Sequence, residues 1–566
     1  MDKHYLKRPI RNLTGLWLTL AVIIFVGGWR LWIIVHEPAH WATIGKEIGS
    51  VAQFREDLYP NKNGTRVVFS QETEKGVGLF FCDADSGKTK NLCEQNEKGY
   101  SNQRFGMLGW SPDGKLFAYA FPNNPKLQQE EVVICDGISG EAMEKMSVYA
   151  GLTELAWLSP RSFACLNYNQ DVSVREQKSD GKWIQSHLFP KVASESLKNN
   201  RNSFTAISEN SVVWQRGNEV WRLDFDTSAF KKIWGSTANK LQSFTYSREA
   251  GELQLACRDD AGWNLINLDQ KGTILGGSRD KNRQRLADLR NEAGVNTFYV
   301  KTDANSVPNR IFWEGAVESY IGPIGNYLYF TGDLPNAPVG LWQYRIDDGT
   351  SHCLVSGLKH PLSYARIVVP EGFAITNALG KQTSCHVWQP VNVIPGKKYP
   401  LILTQTTYGW SPFQQVAAQE GYYFGAVHRS YWNDETISNW TADVTTLYKV
   451  LAKNPNIDTN RVFLFGTSWD TDFLSQLMAE QPDLWKGAIL INPSGLPDWS
   501  EGSKLFIVAG KDQPGEADRL TKYQDQEARL GIPVKLVLQK GAGHIPRSVA
   551  TERERTVQFA KFLIEN

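Results

Sequence analysis

The chain has 566 residues, 12% of them aromatic, including 20 Trp. That is too long for one hydrophobic core and too rich in apolar area for a disordered polymer, so at least two packed domains are expected. Its 61 Lys and Arg nearly balance 60 Asp and Glu, for a net charge of +1, and no basic stripe marks a nucleic-acid surface. All seven Cys fall between Cys82 and Cys385 and no CxxC pair occurs, so neither a zinc site nor another cofactor is expected. The odd, scattered set reads as mostly free, buried thiols; a Cys82–Cys93 pair across a hairpin is the alternative in an oxidising compartment.

The N-terminus reads as a signal anchor. Lys3, Lys7, Arg8 and Arg11 stand in residues 1–13, ahead of a stretch, 14–35, that is apolar except for Arg30 and a few neutral polar residues. It is long enough to span a bilayer, and Arg30 near one end can snorkel to the interface. By the positive-inside rule, residues 1–13 stay cytoplasmic and the bulk of the chain lies outside, periplasmic or extracellular. A cleaved signal peptide competes with this reading. The long apolar core, with no small-x-small site after it, favours a single uncleaved transmembrane helix. Residues 36–55 read as a linker.

From 56 to 385 short β-type runs recur between turn signals. The sharpest is Trp110-Ser111-Pro112-Asp113-Gly114 leading into the apolar run 116–120. Weaker echoes stand at 156–164, 206–214 and 244–250. Their spacing of about 45 residues is the size of one four-stranded blade, and the region divides into about seven. A β-propeller is therefore expected here; the alternative, an array of β-sandwiches, would have longer repeats. Glu130-Glu131, beside the strand 132–134, reads as solvated edge charge.

Residues 386–566 read as an α/β-hydrolase domain. A strand at 399–404 runs into the loop Gln405-Thr406-Thr407-Tyr408-Gly409-Trp410. A second apolar run, 462–465, stops at Gly466, with Ser468 two residues on, and Phe473, Leu474, Leu477 and Met478 follow at helical spacing. Strand, sharp turn with Ser at its tip, then helix is a nucleophile elbow. Downstream, the strand Lys504–Gly510 ends in Lys511-Asp512. The strand 533–538 is followed by Gly541-Ala542-Gly543-His544, and a last helix covers 551–564. In this fold the triad runs Ser, acid, His. From residue 396 onward the sequence holds two His, His428 and His544; His428 precedes the Ser, which leaves His544.

Taken singly, each residue has a structural reading: a turn Ser, a helix-capping Asp, a solvated His in a Gly-rich loop. Together, three suitable types in the right order at strand ends point to nucleophilic catalysis. His544 would activate Ser468 as general base, and Asp512 would hold the imidazole tautomer. The backbone N–H of Trp469 would supply one oxyanion donor. The phenol of Tyr408 is a second candidate, set on position alone against a packed aromatic. The elbow pattern ends in a second Gly, where this chain has Asp470. A side chain there is expected to crowd the turn, and its charge to oppose an oxyanion, giving a slow enzyme. The alternative is that Asp470 points away and caps the helix.

Several stretches of the C-terminal third resemble the catalytic domain of the prolyl oligopeptidase family of serine peptidases. They are Lys397-Lys398-Tyr399-Pro400-Leu401-Ile402, Tyr408-Gly409, the turn at Val427-His428-Arg429-Ser430, the helix 443–451, and Ile457-Asp458-Thr459-Asn460-Arg461-Val462 before the elbow. The resemblance implies a propeller followed by the hydrolase, Ser468 as nucleophile, Asp512 and His544 as its partners, and Tyr408 as oxyanion donor. The 44 residues from Ser468 to Asp512 are fewer than the family's norm and look more like the compact dienelactone hydrolases. Glu516 and Asp518 are reserve candidates for the acid. Asp470 and Thr471 stand where the family usually has Gly-Gly.

The function expected is a membrane-anchored serine hydrolase cleaving short peptides through an acyl-enzyme. The alternatives are an esterase with the same chemistry on small esters, and a catalytically impaired relative in which propeller and hydrolase form a binding scaffold. Neither a metal nor a nucleic-acid partner is expected.

Overall fold

Local hairpins dominate the first two thirds of the molecule. This computed structural model describes residues 40–566 except for short stretches, the longest being 97–105, 125–128, 190–203, 280–286, 301–308, 429–435, 495–503 and 544–547. The expected membrane span, 14–35, lies outside the described residues. Among the described residues no helix is long and apolar enough to cross a membrane.

Among the described residues, 54–356 fold into seven antiparallel meanders, six of four strands and one of three. Blades 1 to 7 cover 54–96, 106–148, 152–189, 204–235, 240–279, 287–313 and 317–356; the sixth is the three-stranded one. Their cores lie between neighbours. Val68, Phe81, Phe117 and Tyr119 join blades 1 and 2, and Ala164, Leu166, Val212 and Trp214 join blades 3 and 4. The ring closes where the last blade meets the first. Phe54, Leu58 and Phe69 pack with Tyr329 and Leu341, and the Ala52 N–H donates to Gly357 O at 2.8 Å. The result is the expected propeller.

Two kinds of turn repeat from blade to blade. The Ser-Pro-Asp-Gly corner is held by Ser111, whose N–H reaches Leu116 O at 2.8 Å and whose hydroxyl donates to Asp113 Oδ1 at 2.7 Å. Its echoes use paired hydroxyls, Ser159 with Ser162 at 2.8 Å and Ser208 with Ser211 at 2.7 Å. The second repeat went unread in the sequence. Asp83, Asp136, Asp224, Asp269 and Asp348 each accept backbone N–H groups two to four residues on, in the hairpin before a blade's outermost strand. The chain then passes through a left-handed residue: Gly87, Gly140, Ser228, Gly272 or Gly349. This is Asx-turn chemistry.

The C-terminal domain is one eight-stranded sheet. Its strands, numbered within the domain, are β1 Glu371–Thr376, β2 Gln382–Trp388, β3 Tyr399–Thr406, β4 Tyr423–His428, β5 Ile457–Thr467, β6 Gly487–Ile491, β7 Lys504–Gly510 and β8 Val534–Gln539. They lie in the order β1-β2-β4-β3-β5-β6-β7-β8, antiparallel for β1 and β2 and parallel from β4 on. Helix α1 is His40–Gly49, α2 Pro412–Gln419, α3 Thr436–Leu451, α4 Asp470–Glu480, α5 Glu516–Arg529 and α6 Val549–Glu565. Strand residues alternate between the faces. Leu401, Leu403, Val462 and Leu464 meet α3, α4 and α5, while Ile402, Phe463, Phe465 and Phe506 meet α1, α2 and α6. Burial on both faces explains why these strands read as continuous apolar runs.

Two expectations are corrected. The boundary placed at 385/386 moves back to 357–370, because the hairpin β1–β2 belongs to the hydrolase sheet, where His386 of β2 pairs with Ala426 of β4. Its alternating sequence looks like one more blade hairpin. The linker assigned to 36–55 contains α1, which packs on α6. Gly45 and Gly49 allow the approach: a Cβ on them would lie 2.9 Å from Val557 Cα and 2.8 Å from Arg553 Cα. The reading of free thiols holds, and the alternative Cys82–Cys93 pair does not form: all seven Cys are free. Cys82 pairs in register with Thr89, and Cys93 with Leu79, so the two thiols do not face each other.

Candidate active site

Ser468 stands at the carboxyl edge of the sheet, between β5 and α4. Its φ is +49°, a left-handed conformation rare for a residue with a Cβ and one that stores strain. Hydrogen bonds on both sides hold the turn there. The Ser468 N–H donates to Ile491 O at 2.9 Å. Its carbonyl accepts from the Ser494 N–H at 3.2 Å and from the Ser494 hydroxyl at 2.9 Å. Gly466 lets helix and strand close up, since a Cβ on it would lie 2.5 Å from Leu474 Cδ1 and 3.3 Å from Asp470 Cβ. Phe473, Leu474, Leu477 and Met478 are all buried, as their spacing predicts.

Asp470 does not crowd this elbow. Its Oδ2 turns back to accept the Thr467 N–H at 3.2 Å and the Thr467 hydroxyl at 3.1 Å. The carboxylate therefore sits at the first turn of α4, where the helix dipole favours a negative charge, and its bonds tie that turn to the end of β5. The crowding expected of Asp470 is not seen, since its carboxylate faces back to Thr467. Gly466 supplies the clearance that a glycine at 470 would otherwise provide.

Asp512 follows β7 at the same edge of the sheet, beyond β6. Its side chain is exposed, and its backbone meets the chain that leads toward His544. The Asp512 N–H donates to Ala542 O at 3.0 Å, and the Lys511 N–H to Gln539 O at 2.8 Å. Gly510 allows this contact, because a Cβ there would lie 2.1 Å from Gly543 O. His544, Tyr408 and Trp469 lie outside the described residues. Of the reserve acids, Asp518 is exposed on the first turn of α5.

Two residues unread in the sequence shape this edge. Asn492, at the end of β6, is buried with φ +47°; its amide oxygen accepts the Gly510 N–H at 2.9 Å, so it links the strand beside the nucleophile to the strand that carries Asp512. Ser494 clamps the Ser468 carbonyl. The signal for Asn492 is its type, since Asn tolerates the left-handed region better than most side chains.

The other histidine of the domain is occupied elsewhere. His428 Nε2 contacts His386 Nδ1 across β4 and β2, and both rings are buried. Burial lowers the His386 pKa to about 4 and pushes that of His428 well down, with its neighbour His386 adding to the effect. The pair is neutral in the folded protein at pH 7.

A seven-bladed propeller ahead of an eight-stranded hydrolase sheet, with a serine elbow at the sheet's edge, is the two-domain fold of prolyl oligopeptidase-type serine peptidases. Solved structures share it over nearly the whole chain. A prolyl endopeptidase superposes with TM-score 0.59 at 13% identity, over 94% of this chain and 92% of that one. The acylaminoacyl peptidase of Pyrococcus horikoshii gives 0.61 at 13% identity, over 92% and 96%. An acylaminoacyl peptidase bound to Z-Gly-Gly-Phe-chloromethyl ketone gives 0.62 at 13% identity, over 92% and 97%. The sequence matches no known family profile and no curated protein.

Two outcomes follow. Asp470→Gly removes the bonds to Thr467 and places glycine in a helix, so it is expected to cost about 1–2 kcal/mol and lower the melting temperature without raising ester or peptide hydrolysis. A faster Asp470→Gly enzyme would restore the crowding model. For the histidine pair, the folded-state pKa lies below the unfolded value of about 6.5, so the unfolded chain binds more protons below that pH. The stability contributed is complete above pH 6.5 and is lost as pH falls toward 4; for His386 alone the loss at pH 5 is on the order of 2 kcal/mol. Urea unfolding of His386→Gln should therefore show a smaller stability loss between pH 8 and pH 5 than wild type shows, whatever its stability at pH 8.

Proposed function

We propose that the protein is a serine hydrolase of the prolyl oligopeptidase type that cleaves short peptides through an acyl-enzyme on Ser468. The observation that carries this reading is the strained, left-handed Ser468 between β5 and α4. That geometry raises a hydroxyl above the sheet edge. In this reading His544 takes the Ser468 proton as the hydroxyl attacks the peptide carbonyl, then returns it to the leaving amine; water repeats the cycle on the ester. Asp512 orients the imidazole. The Trp469 N–H and the Tyr408 phenol stabilise the oxyanion. The fold-level neighbours support a peptide substrate, one of them having been solved with a peptidyl chloromethyl ketone bound.

The exposed Asp512 carboxylate favours a second reading, a non-catalytic scaffold of the same fold, because a triad acid works best when shielded and hydrogen-bonded. A fluorophosphonate probe separates the two. Wild type is expected to take one covalent label on Ser468, and Ser468→Ala and His544→Ala to take none. Labelling that survives Ser468→Ala would overturn the assignment, and an unlabelled wild type would favour the scaffold. Relative kcat/KM on matched amide and ester substrates distinguishes peptidase from esterase.

The apolar stretch 14–35 and the basic residues before it support an uncleaved anchor with the enzyme outside the cytoplasm. A reporter fused after Asn566 is expected to read as extracytoplasmic, and removal of residues 1–35 to release the protein from the membrane fraction. A cytoplasmic signal, or a mature chain beginning after residue 35, would contradict the anchor.

A further inference from the structure

The chain leaves the sheet at the end of β6, and the three residues that follow bind three different elements. The last backbone pair between β6 and β7 is Ile491 with Val508. Asn492 extends the ladder by one bond, its N–H donating to Val508 O at 2.8 Å. A parallel ladder has evenly spaced bonds, so a continuing strand would next offer a backbone carbonyl to the Gly510 N–H. At Asn492 the backbone turns left-handed instead, with φ +47°. The side-chain amide oxygen takes the carbonyl's place and accepts the Gly510 N–H at 2.9 Å. Turning away frees the next two residues for other bonds. Pro493 O accepts from Arg519 Nη2 of α5 at 3.0 Å. Ser494 bonds the Ser468 carbonyl through its N–H at 3.2 Å and its hydroxyl at 2.9 Å.

Residues 492–494 therefore hold the nucleophile turn with one hand and the end of β7 with the other. Asp512 lies two residues beyond Gly510 and is exposed, so the backbone at Gly510 sets where its carboxylate stands. Asn492 itself is buried, which shields its bond to Gly510 from competing water. We propose that Asn492 is a positioning residue for the candidate triad acid: its amide oxygen, standing in for the carbonyl of a strand that has turned away, fixes the end of β7 and with it the spacing between Asp512 and the Ser468 turn. The inference rests on the serine hydrolase reading. Asn492 touches no reacting atom, and its effect is expected on the chemical step. A misplacement of about 1 Å in a catalytic group can cost about a hundredfold in rate, so one ladder bond has ample leverage. The residue type follows from the two demands made on it, since Asn both tolerates the left-handed region and carries an acceptor.

The test uses the full chain with Asn492→Gly and Asn492→Asp. Glycine accepts the left-handed backbone without strain, so Asn492→Gly removes the amide and leaves the turn. Asn492→Asp keeps an oxygen for the Gly510 N–H and also tolerates positive φ. Phosphonylation of Ser468 and kcat on a p-nitrophenyl ester are expected to fall roughly tenfold or more in Asn492→Gly, with KM little changed. Asn492→Asp should stay within about threefold of wild type, because the oxygen it keeps carries the positioning. Amide exchange at Gly510, Lys511 and Asp512 should accelerate in Asn492→Gly and not in Asn492→Asp, with both variants folded at the assay temperature by thermal melting. Wild-type rates in Asn492→Gly, a loss that Asn492→Asp shares in full, or a loss matched by the unfolded fraction would overturn the inference. If wild-type Ser468 itself takes no label, the hydrolase reading fails and the acid has no partner to be positioned for, while exchange at 510–512 still decides whether Asn492 holds the end of β7.

Discussion

The closeness of β5 to α4 at Gly466 is the constraint on which the site depends. A strand that must become a helix within three residues has no room for an extended or a right-handed path, so Ser468 is forced to positive φ. The strain is of order 1–3 kcal/mol and is offset locally. Ile491 and Ser494 hold the Ser468 peptide from the β6 side, and Asp470 ties the first turn of the helix to Thr467. The buried face of α4, from Phe473 to Met478, keeps the helix down on the sheet. The residue that departs from the usual elbow pattern thus serves as one of its fasteners.

The propeller and the hydrolase meet in a seam that mixes weak and strong contacts. Arg553 and Glu74 form a two-pronged ion pair at 3.0 and 2.8 Å, but both side chains are partly exposed, and such pairs contribute about 1 kcal/mol or less. The Val549 N–H donates to Thr73 O at 2.8 Å at the start of α6. Trp410, half-buried, packs against clusters of both domains and removes apolar surface from water there. Contacts of both kinds thus join the two domains across this seam.

Much of the fold was legible because its signals are local. Alternation and the Ser111–Gly114 corner announced a propeller, and continuous apolar runs ending at Gly466 and Gly510 announced buried parallel strands. The clearer blade repeat, an Asp followed by a left-handed residue in the outer hairpin, was missed because its spacing varies and Ser228 replaces Gly in one copy. The domain boundary was missed because a hydrolase edge hairpin and a blade hairpin share one alternating pattern, and only pairing across to β4 tells them apart. Helix α1 could not be placed from sequence at all, since its partner α6 lies some 500 residues away in the chain. At the site, residue types and order led to Ser468, while Asn492 and Ser494 act through contacts that no spacing rule encodes.

The most direct test of the account is pre-steady-state mixing of the full-length protein with a blocked dipeptide p-nitrophenyl ester at neutral pH. An elbow that forms an acyl-enzyme predicts a burst of about one equivalent of p-nitrophenolate per chain before steady turnover, with no burst in Ser468→Ala. Release that is linear from the first millisecond and identical in Ser468→Ala, or no release at all, would contradict it.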